Sequence, residues 1–324
     1  MYEQFYGLKE KPFEITPDPR FLYMSEQHRE AYAHLTYALN ESKGFTVITG
    51  EVGTGKTTLI QMLLSRLDGH TRTAHLFNPK LSTRDFLKFI CNDLGLKTDD
   101  LTTKGEFLTV LHGFLLECYA RKERVVLIVD EAQTLSPKLL EEVRLLTNLE
   151  TPKSKLLQVI LMGQPELDKV LADQRFRQLK QRISVRYHLK PLNRGETKEY
   201  IEKRLKVAGA RDCHIFEDSA IREIHRRSSG IPRLINVLCD NALVTGFVEE
   251  KPVIDKRIIR DVAKDMAGPE MPARPAWNYV FFSVIFIIVL VGILLIWAKE
   301  VSLGDLPSAI DNAEKIFRGR ILRQ

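Results

Sequence analysis

Short runs of β-branched and apolar residues alternate with amphipathic stretches from Gly44 to about Leu189. The runs at 45–49, 73–78, 125–129, 157–162 and 183–189 predict buried strands. Apolar positions recur at helical spacing between them, near 56–67, 83–94, 105–121, 136–148 and 165–181. An earlier helix starts at Ser25, a good N-cap, with Glu26 at its positive end. Strand–helix alternation of this kind predicts an α/β fold with a parallel sheet covered on both faces. Beyond Pro191 the pattern turns wholly helical, near 194–207, 217–228, 232–248 and 254–266. A sheet domain over 1–192 and a smaller helical lid over 193–268 are the expected units.

The pattern changes again after Gly268. Three prolines between Gly268 and Pro275 predict an extended linker, 269–277. Val280 to Trp297 then runs without a charge. At about 1.5 Å per residue it reaches roughly 27 Å, close to a hydrocarbon core. Trp277, Tyr279 and Trp297 flank it as interfacial aromatics do. A transmembrane helix over 278–297 is expected, followed by an extracytoplasmic tail, 298–324. Met1–Tyr6 lacks the apolar region of a signal peptide.

Composition narrows the classes little. The net charge of +6 over 324 residues is mild and demands neither nucleic acid nor lipid. Cys91, Cys118, Cys213 and Cys239 form no C-x-x-C pair, and the eight histidines form no metal spacing. Zinc and a disulfide framework are not expected.

The chemistry begins at Gly50-Glu51-Val52-Gly53-Thr54-Gly55-Lys56-Thr57, which reads G-x-x-x-x-G-K-[ST] between a strand and a helix. Glycines let backbone N–H groups surround phosphate oxygens, and Lys56 brings a charge to the outer phosphates. The hydroxyl of Thr57 suits Mg²⁺, and Thr58 continues the loop into the helix. Downstream, Val125–Val129 ends in Asp130-Glu131. A buried parallel strand delivers its tip to the ligand crevice. Asp130 would hold Mg²⁺ through water, and Glu131 would polarise the water that attacks the γ-phosphate of ATP. Gln164, after the strand at 157–162, would orient that water from the neighbouring tip. Arg233, at the start of a lid helix, would reach the γ-phosphate. Arg175, Arg177 and Arg182 precede the last strand, and one of them would act as an arginine finger in a neighbouring subunit.

These stretches resemble AAA+ ATPases of the general secretion pathway protein A type. The resemblance rests on Met1-Tyr2-Glu3-Gln4-Phe5-Tyr6-Gly7-Leu8, Lys11-Pro12-Phe13, Thr16–Tyr23, Gly50–Thr58, Asp130-Glu131-Ala132-Gln133, Gly163–Leu167 and Gln181-Arg182-Ile183. It covers about residues 1–268. It implies sensor roles for Gln164 and Arg233, a finger near Arg182, ring-like homo-oligomers, and work on envelope assembly. ATP and Mg²⁺ are the expected ligands, and components of an export apparatus the expected partners. The chain is also similar to ATPases of exopolysaccharide and exosortase loci. Only a short tail stands where wall-acting relatives carry a peptidoglycan-binding domain, so direct peptidoglycan binding is not expected. The function expected is ATP hydrolysis at the cytosolic face of a bacterial inner membrane, driving protein secretion or polysaccharide export. The alternative is a DNA-binding AAA+ regulator similar to transposition ATPases, which the apolar span and the absence of a concentrated basic stripe disfavour.

Overall fold

A computed structural model describes residues 1–16, 18–77, 79–152, 154–267 and 286–292. It divides into a compact unit, Met1–Met266, and a second unit, Ala267–Gln324.

Five parallel strands form the centre of the first unit: β1 (Phe45–Gly50), β2 (Thr71–Leu76), β3 (Arg124–Val129), β4 (Gln158–Gly163) and β5 (Val185–Leu189). Their order is β2-β3-β4-β1-β5. Thr49 therefore pairs with Gly163 on one side and His188 on the other, and Val129 pairs with Leu161. The consequence is functional. β4 lies between the strand that feeds the phosphate loop and the strand that ends in Asp130.

The pleat sends alternate side chains to opposite faces. Phe45 and Val47 join one core with Leu127, Val129, Val159 and Leu161, under helices α4 (Thr83–Asp93), α5 (Lys104–Ala120) and α6 (Pro137–Leu146). Ile48 joins the other with Val126, Ile128, Ile160 and Met162, under α2 (Glu26–Asn40) and α3 (Lys56–Ser65). Burial on both faces explains why these strands read as continuous apolar runs rather than alternating ones.

Helices α9 (Arg194–Val207), α10 (Asp218–Ser228), α11 (Pro232–Val248) and α12 (Lys256–Ala267) follow the sheet. Their core holds Leu192, Ile201, Leu205, Ile224, Leu238 and Ile258. It also takes Tyr2 and Tyr6 from around the short α1 (Tyr2–Phe5), with Leu8, Phe13 and Phe21. The sequence pattern allotted those opening residues to the sheet domain; their apolar side chains instead complete the helical layer.

One helix expected over 165–181 is broken. α7 (Pro165–Ala172) stops at Asp173, a 3₁₀ turn covers Gln174–Phe176, and α8 (Arg177–Lys180) resumes. Asp173 has ψ 139°, and its carboxylate accepts from the Arg175 N–H at 2.9 Å and pairs with the Arg175 guanidinium at 2.7 Å. A local side-chain acceptor has outcompeted the helix ladder. The second strand also starts and ends two residues earlier than the pattern suggested, because its ladder with β3 runs from Thr71↔Arg124 to Leu76↔Val129.

The expected linker at 269–277, the tail at 298–324 and most of the apolar span lie outside the described residues. Residues 286–292 are helical, with Phe286 and Ile288 exposed. Among the described residues no helix is long and apolar enough to cross a membrane.

Candidate functional site

The phosphate loop leaves β1 at Gly50 and enters α3 at Lys56. Its glycines are fixed by what surrounds them. Gly53 and Gly55 have φ +81° and +100°, where side chains are strained. A Cβ on Gly53 would meet the Arg233 Cβ at 2.6 Å, and one on Gly55 would meet His28 Nε2 at 2.8 Å. α3 opens without a side-chain cap, so its first-turn amides have no partner within the helix and face the loop.

Lys56 is 6% exposed. Its Nζ donates to the carbonyls of Gly50 at 2.7 Å and Glu51 at 3.0 Å. Burial pushes its pKa down, against the opposing pull of Glu131, Asp130 and Glu51. A buried ammonium satisfied by two carbonyls leaves charge for an incoming phosphate. Thr57 Oγ1 donates to Asp130 Oδ2 at 3.0 Å. That hydroxyl–carboxylate pair beside the loop is the hard-oxygen donor set Mg²⁺ requires, so the residues present fit the ion.

Glu131 adopts the left-handed conformation, φ 50° and ψ 36°. For a non-glycine residue this is uncommon, and such geometry clusters at functional sites. Its Oε2 accepts from Gln133 Nε2 at 2.5 Å and from Gln164 Nε2 at 3.2 Å. Glu131 and Gln164 thus meet across the tips of β3 and β4, as their strand positions require.

Arg233 arrives from the helical layer. Gly230, with φ +74°, and Pro232 at the first turn set the start of α11. The Arg233 backbone N–H donates to the Gly53 carbonyl at 3.3 Å, which joins α11 directly to the phosphate loop.

Arg182 is elsewhere. It precedes β5, at the opposite strand end from Gly50 and Asp130, and its Nη1 donates to Thr147 Oγ1 at 3.1 Å. It cannot serve the cleft of its own chain. Arg175 is paired with Asp173, and Arg177 begins α8 with its side chain exposed.

A cleft of about 560 Å³ joins these parts. The loop, Glu131 and Arg233 line one end; Ile15, Phe21, Leu22 and Tyr23 line an apolar end, between the opening segment and α9. The volume suits a nucleotide. Sequence reading gave these opening residues no role. Arg204, 7% exposed, holds them in place. Its Nε and Nη2 donate to the Pro12 and Glu14 carbonyls at 2.5 and 3.2 Å, and its guanidinium lies 4.8 Å from the Phe21 ring centroid. His28 was also missed. Its Nε2–H donates to the Thr54 carbonyl at 3.0 Å, while Nδ1 accepts from Ser25 Oγ at 2.6 Å. Burial pushes its pKa down, so the neutral ring that this network needs is favoured. The only sequence signal for His28 was its place three residues after an N-cap.

Comparison with known proteins adds three findings. The AAA domain family model matches residues 39–171. General secretion pathway protein A of Aeromonas hydrophila is 49% identical over 268 residues, 83% of this chain and 49% of that protein. The chain therefore spans about half the length of this curated relative. Among solved structures, the Aeropyrum pernix ORC2 protein superposes with a TM-score of 0.58 at 18% identity, covering 79% of this chain and 71% of that one. CDC6P from Pyrobaculum aerophilum superposes with a TM-score of 0.60 at 17% identity, covering 77% and 71%. At such identities these two likenesses speak for the fold alone.

Proposed function

We propose, starting from a chain that is an AAA+ ATPase related to general secretion pathway protein A, that it hydrolyses ATP at the cytosolic face of a bacterial inner membrane to assemble or energise an envelope export system. The observation that carries the motor part of this reading is the Arg233–Gly53 contact. It makes the helical layer a direct neighbour of the phosphates, so a change in the nucleotide changes what α11 rests on. The membrane part is supported by the uncharged run 280–297, and the export part by the relative's name, general secretion pathway protein A. Whether protein or polysaccharide is exported is the finer question.

The residues divide the work. Amides of Gly50–Thr58 and Lys56 Nζ bind the phosphates, with Lys56 exchanging its two carbonyl contacts for phosphate oxygens. Ile15, Phe21, Leu22 and Tyr23, which line the cleft, take the base and shield it from water. Thr57 and Asp130 would hold Mg²⁺, whose charge offsets that building on the phosphate oxygens. Glu131 accepts a proton from the attacking water, and Gln164 fixes the carboxylate that does so. Arg233 contacts the γ-phosphate from α11. Arg182, facing away from its own cleft, completes that of the next subunit in a ring-like homo-oligomer.

The test is membrane fractionation of the full chain, with an alkaline wash and then detergent. An integral protein stays in the pellet through the wash and leaves it in detergent. A protein that remains soluble and binds duplex DNA with strong salt dependence would overturn the reading in favour of a DNA-binding regulator.

A further inference from the structure

The residue between the two strand tips that no motif reading assigns is Gln133. It lies in the 3₁₀ turn Ala132–Thr134, two residues after Glu131. It does not line the cleft, yet both ends of its amide are engaged. Its Oε1 accepts from the Gln164 backbone N–H at 3.0 Å, and its Nε2 donates to Glu131 Oε2 at 2.5 Å.

We propose that Gln133 is a positioning residue that sets the Glu131 carboxylate for water activation and ties it to the β4 tip that carries Gln164. The proposal rests on the reading of Glu131 as the base.

Three features of the geometry support it. First, the amide has one orientation. A backbone N–H can be met only by the carbonyl end, so the NH₂ end must face Glu131. Flipped, it would set oxygen against carboxylate and NH₂ against N–H. Second, space is reserved for it. Gly163 has no side chain where a Cβ would lie 2.9 Å from Gln133 Oε1. Any larger residue at the end of β4 would push the amide off its position. Third, Gln133 Nε2 and Gln164 Nε2 both donate to the same oxygen, Oε2. That leaves Oε1 of Glu131 for water. These two amides restrain the Glu131 carboxylate from the turn and from the neighbouring strand tip. Because the Gln133 amide also grips the Gln164 backbone, a displacement of the β4 tip is transmitted to the base even when the Gln164 side chain lets go.

The experiment compares Gln133→Met, Gln133→Glu and Glu131→Gln in the full chain, measuring ATP turnover, ATP affinity and thermal unfolding. Met fills the volume with no hydrogen bond. Glu keeps an acceptor for the Gln164 N–H but removes the donor to Glu131. Both Gln133 variants are expected to lose about 10- to 100-fold in kcat, the range set by one hydrogen bond to a charged group. ATP affinity should stay within about 3-fold, since lost transition-state contacts leave ground-state binding in place. Wild-type turnover by Gln133→Glu would show that only the Gln164 contact matters, and would overturn the proposal. So would wild-type turnover by Gln133→Met, or a parallel fall of kcat, affinity and stability. If Glu131→Gln itself turns over normally, the reading of Glu131 fails first. If it is inactive while the Gln133 variants are normal, only the Gln133 proposal fails.

Discussion

Gly230→Ala is expected to damage this protein far more than its size suggests. Gly230 has φ +74°, and a Cβ there would lie 1.9 Å from the Leu192 carbonyl oxygen. Ordinary carbon–oxygen contact needs about 3.3 Å, so the two backbones must part by roughly 1.4 Å. The Leu192 N–H to Gly230 carbonyl bond, 2.9 Å long, cannot survive that. The left-handed conformation costs about 1 kcal/mol or more for alanine, overpacking about 1–3 kcal/mol, and the lost bond about 1 kcal/mol. Together these give about 3–5 kcal/mol, or a Tm lowered by roughly 10 °C at the scale expected for this length. Because Arg233 lies three residues on, ATP affinity should fall as well. Gly113→Ala is the matched control. Gly113 lies exposed within α5 with nothing within 4 Å of its Cβ position, and should gain about 0.5–1 kcal/mol. Differential scanning calorimetry of both variants decides the matter. A Gly230→Ala protein with wild-type Tm and ATP affinity would refute the close approach of β5's exit to the start of α11.

Other expectations follow from the same contacts. Lys56→Met should lower ATP affinity at least about 100-fold, through loss of a charge-assisted phosphate contact; titration calorimetry reads the loss. His28→Ala should weaken ATP binding about 5- to 30-fold, the effect of one buried hydrogen bond behind the phosphate loop. The His28 pKa is lowered by burial from its ordinary 6.5, so the unfolded chain binds the extra proton. Its contribution is whole above pH 6.5 and is lost as pH falls through the folded value; in the His28→Ala protein the acid-side fall in stability should be shallower. Arg182→Ala should leave ATP affinity unchanged and lower turnover only in assemblies, which mixing with wild-type chains would reveal as a deficit at matched concentration.

The central strands β1, β3 and β4 were legible because strands buried on both faces announce themselves as apolar runs, and the loop because glycine, lysine and threonine at fixed spacing leave few other uses. Asp130, Glu131 and Gln164 were legible from their places at strand ends, once β3 and β4 were taken as neighbours. What stayed hidden depends on contacts with no local period. His28 reaches Thr54 across 26 positions, and Arg204 reaches Pro12 across 192. Neither contact changes the amphipathic pattern of its own helix. The break at Asp173 was hidden for a different reason: Leu167, Leu171, Phe176 and Leu179 are all buried, at spacings close to helical, so the apolar pattern runs through the interruption. Gln133 stood within a recognised stretch, but only the position of Gln164 on the next strand gives its amide a task.

The most direct test of the central claim sets ATP binding and ATP turnover by Glu131→Gln beside those of the wild-type chain. The substitution keeps the shape of the side chain and removes its capacity to take a proton. ATP affinity should be retained, and turnover should fall by about 10²- to 10⁴-fold, the range for loss of a general base. Equal turnover by the two proteins would contradict the assignment of hydrolysis to the carboxylate at the tip of β3.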